Sequence, residues 1–136
     1  MYEVFEHTAD VGIRIRAESL GELFADAARG LFSLMIENPQ DIRPSQEVTF
    51  SLTAENTEEL LHDWLAELLY TFHAQRIVLT EFQVQVGSAT LTATVRGEPI
   101  DLERHRIDLE VKAITWCGLK VEQQGGEWLA EVIVDV

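Results

Sequence analysis

Acidic groups near both ends of the sequence are candidate ligands for a divalent cation. Asp10 ends the stretch "HTAD", and Asp135 precedes Val136, so that an aspartate and the terminal carboxylate adjoin each other. Carboxylate oxygens are the ligands that hard cations such as Ca²⁺ and Mg²⁺ prefer. If the last strand pairs beside Asp10, a third carboxylate joins them, and the mutual repulsion of the anions favours cation binding. Sequence spacing alone leaves that adjacency open.

A second group of ionisable side chains lies in the stretch "GEPIDLERHRIDLEVKAIT". Its early glycine and proline predict a loop followed by a strand. His105 and Lys112 in this stretch could carry protons or contact a partner, although ordinary solvated salt bridges explain most loop charges. "HTAD" has an ordinary alternative as well, in which Thr8 or Asp10 caps a turn and His7 is a satisfied neighbour.

The elements that must position these groups follow from the apolar patterning. Alternation with a period of two predicts strands in "VGIRIRAE" and "EVTFSL", a hairpin in "EFQVQVGSATLTATVRG", and a second hairpin in "GLKVEQQGGEWLAEVIVDV". Capping-box spacing predicts that one helix begins after Ser19 and ends before Asn38, and that a second begins after Asn56. Regular β-α-β repetition is missing. The order therefore predicts an α+β fold, with a mixed or antiparallel sheet and two main helices packed on one face.

Length and charge limit the classes of function. With 136 residues, 46% of them hydrophobic, the chain can form one core, and we expect a single domain over residues 1–136. The formal net charge of −14 disfavours direct nucleic-acid binding and favours binding to a basic protein surface or to a divalent cation. Solubility alone is the ordinary explanation of such a charge. A single cysteine, Cys117, and the lack of a signal peptide or membrane span predict a soluble cytoplasmic protein without membrane contact.

Common catalytic motifs are missing from the sequence. It contains neither H-E-x-x-H nor G-x-S-x-G, and its glycines do not form a phosphate-binding loop, so we expect no nucleotide to be bound by this chain alone. Histidines beside several carboxylates still leave open a metal-dependent hydrolase that would cleave a phosphoester with Mg²⁺ or Mn²⁺.

Four stretches in the same order resemble the archease family: "FEHTADVGI", "LLHDWLAELLYTF", "GEPIDLERHRIDLEVKAIT" and "EWLAEVIVDV". They extend from one end of the chain to the other. The resemblance implies a strand-helix-strand-strand module that carries an inserted element. It also implies a metal ion, Ca²⁺ or Mg²⁺/Mn²⁺, held by Asp10, Asp135 and Val136. His7, His105 and Lys112 lie in the matching stretches and are secondary candidates for contacts with the site or the partner.

The function that this resemblance implies is that of a protein cofactor and not of an enzyme. Archeases activate the RtcB-type RNA ligase of tRNA splicing and RNA repair, by promoting guanylylation of the ligase's active-site histidine and multiple turnover. The alternative is a chaperone or modulator of RNA-modifying enzymes such as tRNA methyltransferases. The sequence departs from the family pattern after "KAIT", where many members have tyrosine and histidine and this chain has Trp116 and Cys117.

Overall fold

Two helices and eight strands make up the fold in a computed structural model that describes residues 1–7 and 10–136, without the side chains of Glu6 and His7. The elements, in chain order, are β1 (Tyr2–His7), β2 (Asp10–Ala17), α1 (Leu20–Met35), β3 (Gln46–Thr53), α2 (Thr57–Gln75), β4 (Ile77–Val86), β5 (Thr90–Pro99), β6 (Ala113–Ile114), β7 (Lys120–Gln124) and β8 (Glu127–Asp135). A short 3-10 turn, Pro39–Asp41, follows α1. No helix in the described part is long and apolar enough to cross a membrane.

Side-chain caps define where both helices begin. The Ser19 hydroxyl accepts a hydrogen bond from the amide of Glu22 at 3.2 Å, and the Asn56 side chain accepts one from the amide of Glu59 at 2.8 Å. Each cap satisfies one of the amides that the first helical turn leaves without a partner. The two predicted helix starts are thus confirmed, and α1 ends at Met35, before Asn38 as predicted.

The strands form two antiparallel sheets. The first has the order β1-β2-β8-β6, and β7 pairs with β8 on the same side as β6. The second has the order β3-β5-β4. β8 therefore lies inside the first sheet, between β2 and the two shorter strands. Consequently, the C-terminal end of the chain lies next to the start of β2.

Both helices pack against the core-facing side of the sheets. α1 contacts strands of both sheets, including β2 and β4, and so joins the two sheets into one core. α2 is attached to α1 through the fully buried Trp64, whose indole N–H donates to the carbonyl of Phe24 at 2.9 Å. Phe50 of β3 meets the same indole edge-on, with ring centroids 5.5 Å apart. The predicted α+β class, with two helices on one side of antiparallel strands, is confirmed.

The stretch "GEPIDLERHRIDLEVKAIT" is predicted to be a loop followed by a strand, and after the end of β5 at Pro99 only Ala113–Ile114 are a strand. Two amides of this stretch bond to the end of α1. The amide of Asp108 donates to the carbonyl of Met35 at 2.8 Å, and the amide of Leu109 donates to the carbonyl of Leu34 at 3.0 Å. Because these amides satisfy orphan carbonyls of a helix end, they cannot also extend a sheet. The segment 100–112 is therefore a loop wrapped around the end of α1 and is called the inserted loop below.

Candidate functional site

Asp10 and Asp135 are direct neighbours across two adjacent strands. In the antiparallel pairing of β2 with β8, Asp10 is the partner of Asp135, and Val11 is the partner of Val134. Side chains of directly opposite residues share one face of the sheet, with Cβ atoms about 5 Å apart. The adjacency that the sequence left open is thus present in the fold. Asp10, Asp135 and the following Val136 are called the tip below.

The two aspartates lie on the face of the first sheet that points away from the helices. On β2, the neighbouring Ile13 and Ile15 are completely buried against the core, and the side chains alternate along the strand. Asp10 therefore shares the outer face with Gly12 and Arg14. Both aspartates are partly exposed, so that a cation or a partner protein can reach their carboxylates.

Val136 and Lys112 lie next to the aspartate pair. The Val136 side chain packs against the core. Lys112 donates its backbone amide to the carbonyl of Asp135 at 2.7 Å, and Ala113 pairs with Asp135 from the side opposite to Asp10. The Lys112 side chain is exposed.

The tip offers oxygen ligands of the kind that suit a hard divalent cation. Two side-chain carboxylates in register match the ligands of Ca²⁺ and Mg²⁺ and would suffer less mutual repulsion with the cation bound. Within residues 1–7 and 10–136, however, no three His, Cys, Asp or Glu side chains gather into a metal-binding group. A site at the tip therefore needs oxygen ligands besides the side chains of Asp10 and Asp135.

An aromatic ring lies beside the aspartates on the outer face. Phe5 of β1 is the partner of Gly12, and its ring fills the space above that glycine, because a Cβ at Gly12 would lie 2.3 Å from Phe5 Cζ. Ile133, the partner of Gly12 on β8, is only 4% exposed although it faces away from the helices. Phe5 and Ile133 thus form an apolar patch beside the carboxylates. This patch requires glycine at position 12, because a Cβ there would collide with the Phe5 ring.

The guanidinium of Arg14 lies over the ring of Phe5. Its guanidinium carbon lies 4.5 Å from the centroid of the Phe5 ring, and its nitrogens contact Glu131 at 3.1 Å and Glu3 at 3.0 Å. The hydrogen bond to Glu131, together with the charges of both glutamates, raises the pKa of the Arg14 guanidinium despite some desolvation. The cation is therefore held over the Phe5 ring in its charged form.

His105 belongs to a buried polar cluster on the inserted loop. The imidazole is 1% exposed; its Nδ1 accepts from the amide of Asp101 at 2.9 Å, and its Nε2 lies 3.0 Å from Glu98 Oε2. Since Nδ1 accepts, the proton of the neutral imidazole is on Nε2 and is donated to Glu98. Arg104 forms a salt bridge with the other oxygen of Glu98. None of these contacts involves the tip.

The carboxyl group of Glu98 is charged within this cluster. Burial by itself raises the pKa of Glu98, but the backbone amide of Arg43 at 2.6 Å, the hydrogen bond from His105 and the charge of Arg104 outweigh it. The pKa of Glu98 therefore lies below its ordinary value. The cluster joins the loop to the end of β5. It thereby fixes the start of the segment that leads to Lys112 and the tip.

Two histidines of α2 hold the segment that leads to the tip. His73 Nε2 lies 2.8 Å from the carbonyl oxygen of Val111, and His62 Nε2 lies 3.1 Å from that of Ile114. The two carbonyls bracket Lys112 and Ala113, the residues that adjoin Asp135. The sequence analysis singled out neither histidine. Their spacing of eleven residues, which is three helical turns, would have predicted that they share one face of α2.

The structure thus brings Asp10, Asp135, Val136 and Lys112 together and leaves His105 in a separate buried cluster. The backbone of His7 pairs with Asp10 at the end of the hairpin, whereas the His7 side chain and the predicted cap by Thr8 lie outside the described residues.

Comparison with known proteins decides the family. The chain matches the Archease protein family (MTH1598/TM1083) over residues 2–136. This chain belongs to the archease family. It is 35% identical to the protein archease of Methanopyrus kandleri, with 99% of both chains covered, and 36% identical to that of Methanosarcina mazei, with 99% and 95% covered.

Two solved structures share this fold. The solution structure of Methanobacterium thermoautotrophicum protein 1598 is similar to this chain with a TM-score of 0.87 and 32% identity, and the match covers 99% and 98% of the two chains. The crystal structure of an archease from Thermotoga maritima, described as a possible chaperone, has a TM-score of 0.70 at 23% identity, with 100% and 98% covered; it supports the fold alone. The fold described above is the archease fold.

Proposed function

We propose that this archease-family chain activates an RtcB-type RNA ligase in tRNA splicing and RNA repair. It would promote guanylylation of the active-site histidine of the ligase and allow multiple turnover, without catalysing a reaction itself. The observation that carries the proposal is the pairing of Asp10 with Asp135 at the tip. These are the residues to which the family resemblance assigns metal binding.

Each residue around the tip has a separate role in this proposal. Asp10, Asp135 and the Val136 carboxylate would hold a Ca²⁺, Mg²⁺ or Mn²⁺ ion, which when bound supplies positive charge for phosphate oxygens. Phe5 limits water on one side of the carboxylates. Lys112 fixes the end of β8 through its amide, and its exposed side chain is a proposed contact to the ligase, as is His7. For the buried His105 we propose a positioning role for the loop.

Charge supports a basic partner surface. The chain carries a net charge of −14, and a ligase cleft that holds RNA and guanylate must be positively charged. An acidic tip can approach such a cleft, and the same charge would repel free RNA from the chain. We accordingly propose a cytoplasmic protein that meets RNA only through its ligase.

The test is multiple-turnover ligation by the RtcB-type ligase of the same organism, with GTP and a metal, in the presence and absence of this chain. Guanylylation of the ligase is followed separately. We expect both to rise with the wild-type chain and to fall to the level of the ligase alone with Asp10→Ala and Asp135→Ala. Asp108→Ala, which removes an exposed carboxylate on the inserted loop, is the matched control and should stimulate normally.

Two outcomes would contradict the proposal. An active ligase that does not respond to the wild-type chain would remove the ligase from the proposed function. A folded Asp10→Ala variant that stimulates normally would remove the tip from the mechanism while leaving the ligase as partner.

A chaperone or modulator of RNA-modifying enzymes is the second candidate, favoured by the description of the Thermotoga maritima archease as a possible chaperone. It predicts that the chain binds such an enzyme, for example a tRNA methyltransferase, and protects it from aggregation on heating. Under this alternative, substitutions at the tip would leave the protection unchanged.

A further inference from the structure

The first sheet ends at β1, and the outer side of this strand, called the open edge below, offers main-chain groups that can bind another strand. The amide of Arg16 donates to the carbonyl of Met1 at 2.9 Å, which makes these two residues a hydrogen-bonded pair of the β1–β2 ladder. Such pairs alternate along an antiparallel ladder with pairs that exchange no bond. The N–H and C=O groups of Tyr2 and Val4 therefore point away from β2. Among the residues that the structure describes, none bonds to them.

The side chains of Tyr2 and Val4 lie on the same face of the sheet as α1 and are only partly covered. Their partners on β2, Ile15 and Ile13, are completely buried, yet Tyr2 is 37% exposed and Val4 is 44% exposed. Gly30 of α1 leaves room for the tyrosine ring, because a Cβ at Gly30 would lie 3.3 Å from Tyr2 Cγ. α1 therefore touches β1 but leaves much of both side chains in contact with solvent.

A cleft of about 200 Å³ lies beside the open edge. Its walls include Tyr2 of β1, Arg29 and Phe32 of α1, the 3-10 turn, and Phe82 of β4. None of the described residues that line it belongs to β2 or β8, so the cleft lies on the open side of β1. Phe32 and Phe82 are nearly fully buried and give the cleft an aromatic floor.

An extended segment of another protein matches both features. Its main-chain N–H and C=O groups would pair with those of Tyr2 and Val4, as when a strand is added to the edge of a sheet. Directly opposite residues of two strands share one face of the sheet, so the residue opposite Tyr2 would point to the helix side and to the cleft. The aromatic floor suits an apolar side chain of the size of leucine or phenylalanine there.

Charge indicates which protein supplies the segment. β1 contains Glu3 and Glu6, and the whole chain carries a net charge of −14. A second copy would bring the same acidic strand to the open edge, whereas a basic protein would be attracted. The Glu3 side chain is about half exposed and lies on the face of β1 opposite to Tyr2. A lysine or arginine of the added segment, opposite Glu3, would therefore meet its carboxylate.

The open edge adjoins the tip through the hairpin of β1 and β2. The backbone of His7, at the end of β1, pairs with Asp10. Neighbouring strands lie about 5 Å apart, so a protein that covers Asp10 is one strand away from the open edge.

We propose that the open edge of β1 binds an extended segment of the protein that binds the tip. This segment places an apolar side chain in the cleft beside Tyr2 and a basic residue, its direct neighbour in sequence, opposite Glu3. The inference rests on the proposed function, in which that protein is the RtcB-type ligase. It assigns to the ligase an exposed strand or extended loop outside its active site, which orients the tip.

The first test removes one main-chain donor from the open edge. Val4→Pro lacks the N–H that faces the open edge, whereas the hydrogen bonds between β1 and β2 come from other residues. Val4→Thr keeps this amide and a branched side chain and is the matched control. Biolayer interferometry against the ligase, at fixed salt and metal concentration, should show about tenfold weaker binding for Val4→Pro and unchanged binding for Val4→Thr.

The second test closes the cleft. Gln40 of the 3-10 turn is exposed and lines the cleft, so Gln40→Trp should fill it with an indole. Because an apolar side chain of the ligase would then remain outside, binding should weaken about tenfold, whereas Gln40→Ala should bind as the wild type does. Circular dichroism checks that each variant is folded. If Val4→Pro fails to fold, the two Gln40 variants decide.

The outcomes separate this inference from the proposed function. If the wild-type chain binds and stimulates the ligase but folded Val4→Pro and Gln40→Trp bind it equally well, the edge contact is overturned and the proposed function stands. If Val4→Pro instead dissociates a dimer of this chain, measured by analytical ultracentrifugation, without weakening ligase binding, the open edge joins two copies and the inference is wrong. If the wild-type chain does not bind the ligase, both are overturned.

Discussion

Asp10 and Asp135 face each other as like charges across two neighbouring strands, an arrangement that destabilises a strand pair unless something neutralises it. Asparagine has the shape of aspartate without its charge. Replacing Asp135 by asparagine should therefore raise the free energy of unfolding of the metal-free chain by about 0.5 kcal/mol. At the same time, it should remove the stabilisation that Ca²⁺ gives to the wild-type chain.

Thermal unfolding in EDTA and in excess Ca²⁺ measures both effects. The wild-type Tm should rise on adding Ca²⁺, and the Asp135→Asn value should not move. Asp108→Asn, on the exposed part of the inserted loop, should behave as the wild type does. An equal Ca²⁺-induced shift in wild type and Asp135→Asn would exclude this carboxylate as a ligand.

Glu98 carries a second prediction at the level of single residues. Removing one member of a buried charged cluster leaves the others without a counter-charge, so Glu98→Gln should destabilise the chain by about 3 kcal/mol at neutral pH. Because the pKa of Glu98 is lower in the folded than in the unfolded chain, its contribution is complete above the unfolded pKa, about 4.3. The contribution is lost as the pH falls through the lower, folded pKa.

Urea unfolding at a series of pH values from neutral to strongly acidic tests this dependence. The stability difference between wild type and Glu98→Gln should shrink in the acidic range. Glu103→Gln, an exposed neighbour on the same loop, should cost little at any pH. A difference that is constant with pH would mean that packing and not charge explains the cost.

At the level of elements, α2 fixes the segment beside the tip through His62 and His73. Removing the His73 contact to the carbonyl of Val111 should loosen this segment by about 1 kcal/mol, the value of one hydrogen bond. His73→Ala should therefore increase amide hydrogen exchange at Lys112, whose amide bonds to Asp135, several-fold. Amides in the middle of β5, far from this contact, serve as the internal control. Unchanged exchange at Lys112 would assign its protection to the pairing with β8 alone.

Both helices, the alternating strands and the fold class could be predicted from local sequence, whereas β1 and the order of the strands in the sheets could not. The caps at Ser19 and Asn56 and the alternating strands are local signals, which the structure confirms. The pairing of Asp10 with Asp135 depends on which strands of the fold become neighbours, and the periodicity of a strand carries no such information. The burial of His105 was missed for a related reason, since its partner Glu98 lies on β5 and loop charges are usually solvated.

At the level of the whole molecule, the net charge of −14 has a kinetic consequence for the proposed partner. Long-range attraction between an acidic protein and a basic cleft accelerates encounter, and salt screens it. Raising the ionic strength from about 50 mM to about 500 mM should therefore lower the association rate constant with the ligase at least tenfold. The dissociation rate, which depends on the short-range contacts of the tip, should change much less. Stopped-flow measurement of both rates at low and at high salt provides the test. Association that is insensitive to salt would mean that the acidity of this chain serves its solubility and does not steer it to the ligase.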